Sequence, residues 1–301
     1  MTDCKRPDTT PASLFQQPAR ARPFSSRTVE GARDASESAR RYTLRVEGPR
    51  RLVSLCPSIT ETLVALGAWK RLVGATRYCV RPEGLLWGLP RIGGTKNPDI
   101  ARILDLKPDL VFANEEENRL EDVEALEAAG IEVDVTFPKA VAEVPPAIRG
   151  WGKRIGGAAA AEQIADSIEK DLARLERPPK PPPFLYACWI WKDPWMTVSD
   201  DTYASDLLRL AGGVNVYGRE EQRYPAVTPE DSIARGADVH FFPSEPYPFR
   251  PEKHAEPLEK VFGRDRIRLF LAGENLTWHG VRTRDGLEAM RKLRSLLVKA
   301  L

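Results

Sequence analysis

RLVSLCPSITETLVALG, residues 51–67, decides the fold of this chain together with a second stretch that follows it. It begins with a short apolar run, Arg51–Cys56, which predicts a β-strand. A helix follows at Thr62–Leu66 and ends at Gly67, and the hydroxyl of Ser58 is a candidate N-cap. The stretch therefore predicts one strand–loop–helix unit.

GGTKNPDIARILDLKPDLVFAN, residues 93–114, repeats this design. Asn97 is a candidate N-cap, Pro98 suits a first helical turn, and apolar residues then recur at helical spacing. The turn Lys107-Pro108-Asp109 leads into a second apolar strand at Leu110–Ala113. Two such units in succession predict an α/β fold with a parallel sheet.

Open parallel sheets bind ligands beyond the carboxyl ends of their strands. The loops that follow Cys56, Thr76 and Ala113 fall at such ends. We therefore expect these loops to line one side of a ligand cleft.

These motifs resemble the cobalamin/ferric-siderophore class of substrate-binding proteins of ABC importers, and most strongly its cobalamin-binding branch. The resemblance rests on LCPSITET, on VGATRY, on GGTKNPDI with KPDLV, and on Trp189–Tyr217, and it extends over Arg50–Leu301. It implies two α/β lobes with mainly parallel sheets, one long helix that joins them, and a ligand cleft between them.

The middle of the chain has the composition of a connector. Strong helix formers fill Ala158–Leu175, and the proline-rich residues 178–183 follow as a stiff extended spacer. We therefore predict an N-terminal lobe at residues 50–157, a connecting helix at 158–177 and a C-terminal lobe at 178–301. Strands of the second lobe are predicted at Phe184–Trp189, Met196–Ser199, Ala237–Phe242 and Ile267–Leu271, and helices at Tyr203–Leu210 and Leu287–Leu301.

Residues 1–49 differ in composition from the rest. They are rich in Pro, Ser, Thr, Arg and Asp without apolar periodicity, so we expect a disordered tail. The apolar segment of a secretory signal is missing, and the pair Arg40-Arg41 is followed by charged residues rather than apolar ones. The resemblance implies a periplasmic or cell-envelope location, whereas the missing signal leaves a cytoplasmic one open. No apolar run is long enough to span a membrane.

Composition argues against two classes of protein. The net charge is +2, and the 45 basic and 43 acidic residues are interspersed, which does not suit nucleic-acid binding. The four cysteines form no C-x-x-C pair, which argues against a structural zinc site. A disulfide between Cys56 and Cys79 is one reading, and buried free thiols are the favoured one.

Three tryptophans follow predicted strand ends. Trp191 and Trp195 flank a proline turn, and Trp278 lies in a later loop. Tryptophans at such positions either pack in the core or contact ligand. Flat aromatic faces suit the apolar plane of a corrin macrocycle, so we favour ligand contact.

The histidines have separate interpretations. His279 either coordinates the metal of a bound corrinoid through a neutral imidazole or lies on the surface. His240 lies in an apolar strand and is expected to be buried structure. His254 lies in a charged segment that we take for a loop.

Acidic residues follow the strand at Leu110–Ala113 directly. They would favour the N-terminus of the next helix through its dipole, or they would face the cleft as acceptors for ligand amides. We favour the cleft for Glu116, Glu117 and Asn118. The complete set of predicted ligand-binding residues is Pro57, Ser58, Tyr78, Thr95, Lys96, Asn97, Glu116, Glu117, Asn118, Trp191, Trp195, Glu245, Trp278 and His279.

No catalytic set emerges, since G-x-S-x-G, Walker and H-E-x-x-H motifs are missing and only three histidines are present. The sequence therefore favours a monomeric binding protein over an enzyme. The resemblance implies a receptor that needs no intrinsic cofactor, binds a cobalamin-like corrinoid and delivers it to an ABC importer permease. One surface glutamate of each lobe would dock on that permease, and the matching residues are Glu121 and Glu230.

Two alternatives remain open. The same fold would bind a ferric siderophore or haem. An intracellular carrier of a corrinoid or metal cofactor, or a cryptic enzyme, is the alternative from another class.

Overall fold

The computed structural model describes residues 48–177 and 182–300. Most of the predicted tail, the Arg40-Arg41 pair and most of the proline-rich spacer lie outside the described residues.

The first lobe is a parallel sheet of the strands β1 (Leu52–Ser54), β2 (Leu72–Ala75), β3 (Leu110–Asn114) and β4 (Glu132–Thr136). The strands are arranged in the order β2-β1-β3-β4. Its helices are α1 (Pro57–Ala65), α2 (Ile100–Asp105) and α3 (Leu120–Ala128). The two central strands, β1 and β3, are buried on both faces, which explains their continuous apolar runs in the sequence.

Two helices follow, α4 (Val144–Arg154) and α5 (Ala158–Glu176). Helix α5 buries Ala161, Ile164, Ala165, Ile168 and Leu175, which recur at helical spacing. It leads to the second sheet, as the resemblance implies for a connecting helix.

The second lobe is a mainly parallel sheet of the strands β5 (Phe184–Trp191), β6 (Met196–Thr197), β7 (Gly213–Asn215), β8 (Val239–Pro243) and β9 (Ile267–Leu271). Strands β7, β8 and β9 run parallel to their neighbours, and β6 pairs with β5 in the antiparallel direction. Its helices are α6 (Tyr203–Leu210), α7 (Pro229–Ala234), α8 (Pro251–Phe262), α9 (Gly273–Thr277) and α10 (Thr283–Ala300). The predicted α/β class with two lobes is confirmed.

Several local predictions were wrong. Ser58 does not cap α1, because the helix already begins at Pro57 and Ser58 lies inside it. The N-cap of α2 is Asp99, whose carboxylate accepts the backbone N–H of Arg102 at 3.0 Å, so Asn97 lies outside the helix. The segment around His254 is not a loop but part of α8.

One hydrophobic core extends through both lobes. It joins Ile59 and Leu63 of α1 to Ile164 of α5, and continues to Leu207 and Leu287 of the second lobe. A short turn, residues 280–282, brings the second lobe onto α1, where the backbone N–H of Val281 donates to the Thr62 hydroxyl at 3.0 Å. The lobes are therefore held together by buried packing as well as by the connecting helix.

Cys56, Cys79 and Cys188 are free and buried, so the suggested disulfide between Cys56 and Cys79 is absent. The Cys79 thiol instead lies 3.0 Å from the Thr60 hydroxyl and 3.1 Å from the Thr76 hydroxyl. Among the described helices, none has the length and apolar character needed to cross a membrane.

Candidate functional site

The candidate site lies where the carboxyl ends of the two sheets meet. Ser58, which follows β1, and Asn114, the last residue of β3, contact His279, which follows β9. A loop after β2 contacts α9 through Arg81 and Glu274, whose closest atoms are 3.3 Å apart. Bringing together the carboxyl ends of two parallel sheets produces the edge at which such folds bind ligands.

His279 forms the central polar contact between the lobes. Its Nε2 lies 3.1 Å from Asn114 Nδ2 and 3.4 Å from Ser58 Oγ. The Asn114 oxygen accepts the backbone N–H groups of Glu116 and Glu117 at 2.9 and 3.1 Å, which fixes its amide group as the donor to the imidazole. Nε2 is therefore the acceptor, and Nδ1 carries the proton of the neutral ring.

The surroundings of His279 favour the neutral imidazole. The residue is only 6% exposed, and burial lowers its pKa from 6.5 to about 4. Nδ1 is buried without a hydrogen-bond partner among the described residues. The interpretation of His279 as a surface residue was wrong.

Metal coordination by His279 remains a prediction. The Nε2 lone pair is directed at the Asn114 amide, so the ring would have to leave this contact before it could bind a metal. In the part of the chain that the structure describes, no group of three or more His, Cys, Asp or Glu side chains is arranged to hold a metal ion.

Glu116 receives contacts from both lobes. Its Oε1 lies 3.1 Å from Arg223 Nη2 and accepts a hydrogen bond from the Tyr224 hydroxyl, while Lys96 donates to its backbone carbonyl. Burial raises the pKa of Glu116 to about 7, although the positive charge of Arg223 acts in the opposite direction. This carboxylate is therefore poorly solvated when ionised.

Two further acids lie near the same edge. Burial raises the pKa of Glu117, with Lys96 opposing the shift. Burial also raises the pKa of Glu245, to which the negative charges of Glu274 and Glu117 add. Glu245 accepts a hydrogen bond from the Thr277 hydroxyl at 3.0 Å, and neither Glu117 nor Glu245 has an ion pair within the described ranges. These two carboxylates are therefore held by side-chain hydrogen bonds, from Thr95 to Glu117 and from Thr277 to Glu245.

The predicted aromatic residues have different environments. Trp191 is partly buried and meets Tyr247 edge-on, with ring centres 5.7 Å apart. Trp195 packs inside the second lobe, parallel to Phe249 at 6.3 Å and edge-on to Trp189 at 5.2 Å. Trp278 is 9% exposed. Trp191 packs against the core that spans both lobes, whereas Trp195 packs against the aromatic cluster of the second lobe.

The remaining predicted residues divide by exposure. Tyr78 is 49% exposed, and Asn97 is exposed as well. Pro57, Ser58 and Thr95 are buried. The Asn118 amide donates to Leu55 O at 3.2 Å and to Thr95 O at 2.9 Å, so it holds two loops together.

His240 is fully buried, as predicted, and its Nδ1 accepts the indole N–H of Trp189 at 3.2 Å. The structure also places at this edge three residues that sequence reasoning missed. Asn114, the last residue of β3, could have been found by the same strand-end argument. Arg223 and Tyr224 carried no such signal, because they lie in an irregular loop that only tertiary structure brings to Glu116.

The predicted docking residues are both exposed. Glu121 lies in the first turn of α3 and Glu230 in the first turn of α7. Thr228 caps α7, since its hydroxyl accepts the backbone N–H of Asp231 at 3.1 Å.

The model of one protein family, described as periplasmic binding protein, matches residues 52–257. The chain belongs to this family. A vitamin B12-binding protein of Photorhabdus laumondii is 25% identical over 196 residues, which cover 64% of this chain and 70% of that protein. The predicted resemblance to substrate-binding proteins of this class is thereby confirmed.

Solved structures share the two-lobed fold. The periplasmic vitamin B12 binding protein BtuF of Vibrio cholerae superposes with a TM-score of 0.71 at 23% identity, covering 82% of this chain and 97% of that one. The periplasmic heme-binding protein RhuT from Roseiflexus sp. RS-1, in apo form, gives 0.70 at 24% identity and covers 82% and 99%.

Proposed function

We propose that this chain is the substrate receptor of an ABC importer and captures a corrinoid between its two lobes. We assign the lobes to residues 50–157 and 178–301, and the connecting helix to residues 158–177. Membership of the periplasmic binding protein family supports a receptor that works in the periplasm or cell envelope. The corrinoid is cargo, and the receptor needs no cofactor of its own.

The charge of the cleft is the observation that carries the corrinoid proposal. Glu117 and Glu245 offer carboxylate oxygens without ion-pair partners in the described ranges. Amide groups around a corrin ring donate hydrogen bonds, and hydrogen bonds to a charged acceptor contribute roughly 1.5–3 kcal/mol. The apolar face of the ring would lie against Trp191, with Tyr78 at the rim.

A second candidate is haem. Lys96, Arg81 and Arg223 lie near the same edge and would pair with carboxylates at the rim of a porphyrin. The similarity to heme-binding RhuT supports this candidate through the fold alone.

Absorbance and tryptophan-fluorescence titrations with cyanocobalamin, haem and a ferric hydroxamate distinguish these candidates. We expect cyanocobalamin to bind most tightly and Glu117→Gln to weaken it roughly 10-fold to 100-fold, the loss of one charged hydrogen bond. Glu124→Gln, an exposed change on α3, is the control and should bind like the unmodified protein. Tighter binding of haem would contradict the corrinoid proposal.

Delivery is tested separately. We expect the double variant Glu121→Lys, Glu230→Lys to abolish uptake in a reconstituted importer while ligand binding is unchanged, because docking pairs set orientation and encounter rate. The control is Glu124→Lys with Glu252→Lys, two exposed acids at other positions of the two lobes. Full uptake by the docking variant would show that these acids only stabilise their helix N-termini.

A further inference from the structure

A loop of the second lobe, residues 219–226, is fixed firmly to that lobe; we call it the strap. Its backbone carbonyls at Arg223 and Pro225 accept the N–H groups of Ser199 and Thr197 at 2.8 and 3.1 Å. Ala226 forms a β-bridge with Met196. The strap therefore moves with the second lobe.

Two side chains of the strap reach the first lobe. Arg223 Nη2 lies 3.1 Å from Glu116 Oε1, and the guanidinium carbon lies 4.4 Å from the centre of the Phe137 ring. The Tyr224 hydroxyl donates to the same Glu116 oxygen. Because donors and acceptor belong to different lobes, these contacts are lost if the lobes move apart at this point.

The ion pair between Arg223 and Glu116 is close, but the hydrogen-bonding groups of Arg223 are incompletely paired. The side chains of Arg223 and Glu116 are only 14% and 29% exposed. Arg223 Nε and Nη2 are buried without an aligned hydrogen bond among the described residues, although Glu116 and Asp201 lie 3.1 and 3.8 Å away. The raised pKa of Glu116, about 7, shows that burial outweighs the attraction of Arg223. The attraction between Arg223 and Glu116 offsets only part of the cost of removing them from water, so this ion pair can open.

We propose that Arg223 and Tyr224 form a latch that closes the cleft by occupying the Glu116 carboxylate, which must be vacated before a ligand can use it. The latch is defined by Glu116, Phe137, Arg223 and Tyr224. It is an autoinhibitory contact, because it withholds the Glu116 carboxylate from any ligand that enters between the lobes.

Neighbouring contacts are weaker candidates for this role. Lys139 Nζ lies 2.9 Å from both carboxylate oxygens of Asp201, but both side chains are about half exposed, and such pairs contribute little. The backbone N–H of Val141 donates to Asp206 at 2.8 Å. The shared core under α1 limits how far the lobes can separate.

The test measures the distance between the lobes without ligand. Spin labels are placed by Glu124→Cys on α3 and Lys253→Cys on α8, both exposed, in a Cys4→Ser background. The other three cysteines are buried and do not compete for the label. Electron–electron double resonance then gives the distribution of distances between the labels.

We expect Arg223→Ala with Tyr224→Phe to shift the mean distance by more than about 2 Å and to broaden the distribution. Glu116→Gln, which keeps the shape of the side chain but removes its charge, should act in the same direction. Arg266→Ala is the matched control, because Arg266 pairs with Asp238 at 2.9 Å within the second lobe. This control should leave the distribution unchanged.

Two results would overturn the latch. One is an unchanged distribution in both latch variants while near-ultraviolet circular dichroism shows an intact fold. The other is an equal shift in Arg266→Ala, which would mean that any lost ion pair loosens the protein.

Discussion

His279 links the lobes through one ring nitrogen, and this makes the contact sensitive to protons. Nε2 must stay unprotonated to accept from Asn114, and burial lowers the pKa of His279 to about 4. His240, which accepts from Trp189, has its pKa lowered to about 4 by burial and, to a lesser degree, by Arg266 and Arg268. Both imidazoles are therefore kept neutral by the fold.

Acid should destabilise the protein through these residues. In the unfolded chain each imidazole takes up a proton near pH 6.5, whereas the folded state resists until about pH 4. Stability is therefore lost as the pH falls through this window, by up to roughly 3 kcal/mol for each residue. Urea unfolding at several pH values between 4 and 6.5 gives the free energy of unfolding as a function of pH. This free energy should fall less steeply with falling pH for His279→Gln than for the unmodified protein.

The tryptophans should separate stability from binding. Trp195→Ala removes a ring from the aromatic cluster and should lower the free energy of unfolding by up to about 3 kcal/mol while leaving ligand affinity unchanged. Trp191→Ala should weaken corrinoid binding by roughly 1–3 kcal/mol. Chemical unfolding and fluorescence titration of the same two variants measure both quantities. Weaker binding in Trp195→Ala alone would reverse the two roles.

Among the elements, the turn at residues 280–282 depends most on a single glycine. Gly280 has φ of +83°, and a Cβ there would lie 2.1 Å from Thr62 Oγ1 on α1. The same hydroxyl accepts from Val281 at 3.0 Å, so the turn and the helix have no room to separate without losing this bond.

Gly280→Ala should therefore cost more than an ordinary glycine substitution. We expect a loss of about 2–4 kcal/mol, from the unfavourable φ and from the clash together. Gly130→Ala is the matched control, because Gly130 has φ of +81° with no atom within 4 Å of the added carbon. It should lose only about 1–2 kcal/mol. Thermal unfolding of both variants gives the difference between their losses of stability. Equal losses would show that the Thr62 side chain moves away from the added carbon.

Elements with a strong local signal could be predicted from the sequence. Tyr203–Leu210 and Ile267–Leu271 were predicted with the bounds that the structure shows, because apolar spacing and flanking glycines define them. Helix α8 was missed, since Pro257 and many charges hide the buried pair Leu258 and Phe262. The N-cap of α2 was also predicted wrongly. Asn97 and Asp99 are both suitable capping residues and lie two positions apart, and only tertiary context selects Asp99.

The candidate site was predictable to the same extent. The strand-end argument places Glu116 and Glu117 at the edge where the sheets meet, although ligand contact by either remains a prediction. No sequence pattern identified Arg223 or Tyr224, since their relation to Glu116 spans more than a hundred residues of chain. Contacts between lobes follow from docking of finished elements, which local patterns do not encode.

At the scale of the whole molecule, the shared core determines how the lobes unfold. Residues of α1, α5, α6 and α10 belong to one buried cluster that spans both lobes, so the unfolding of either lobe would expose part of the core of the other. We expect a single calorimetric transition whose van't Hoff enthalpy equals the calorimetric enthalpy. Two resolved transitions would show that the lobes are independent units.

This shared core also affects how empty and loaded receptors would compete for a permease. If the lobes separate only slightly, a permease would meet nearly the same outline on an empty receptor as on a loaded one. Empty receptor would then occupy docking sites as a competitive inhibitor, and uptake would fall when receptor is supplied in excess over ligand. Cells that use such a receptor would gain most by keeping its copy number close to the supply of cargo.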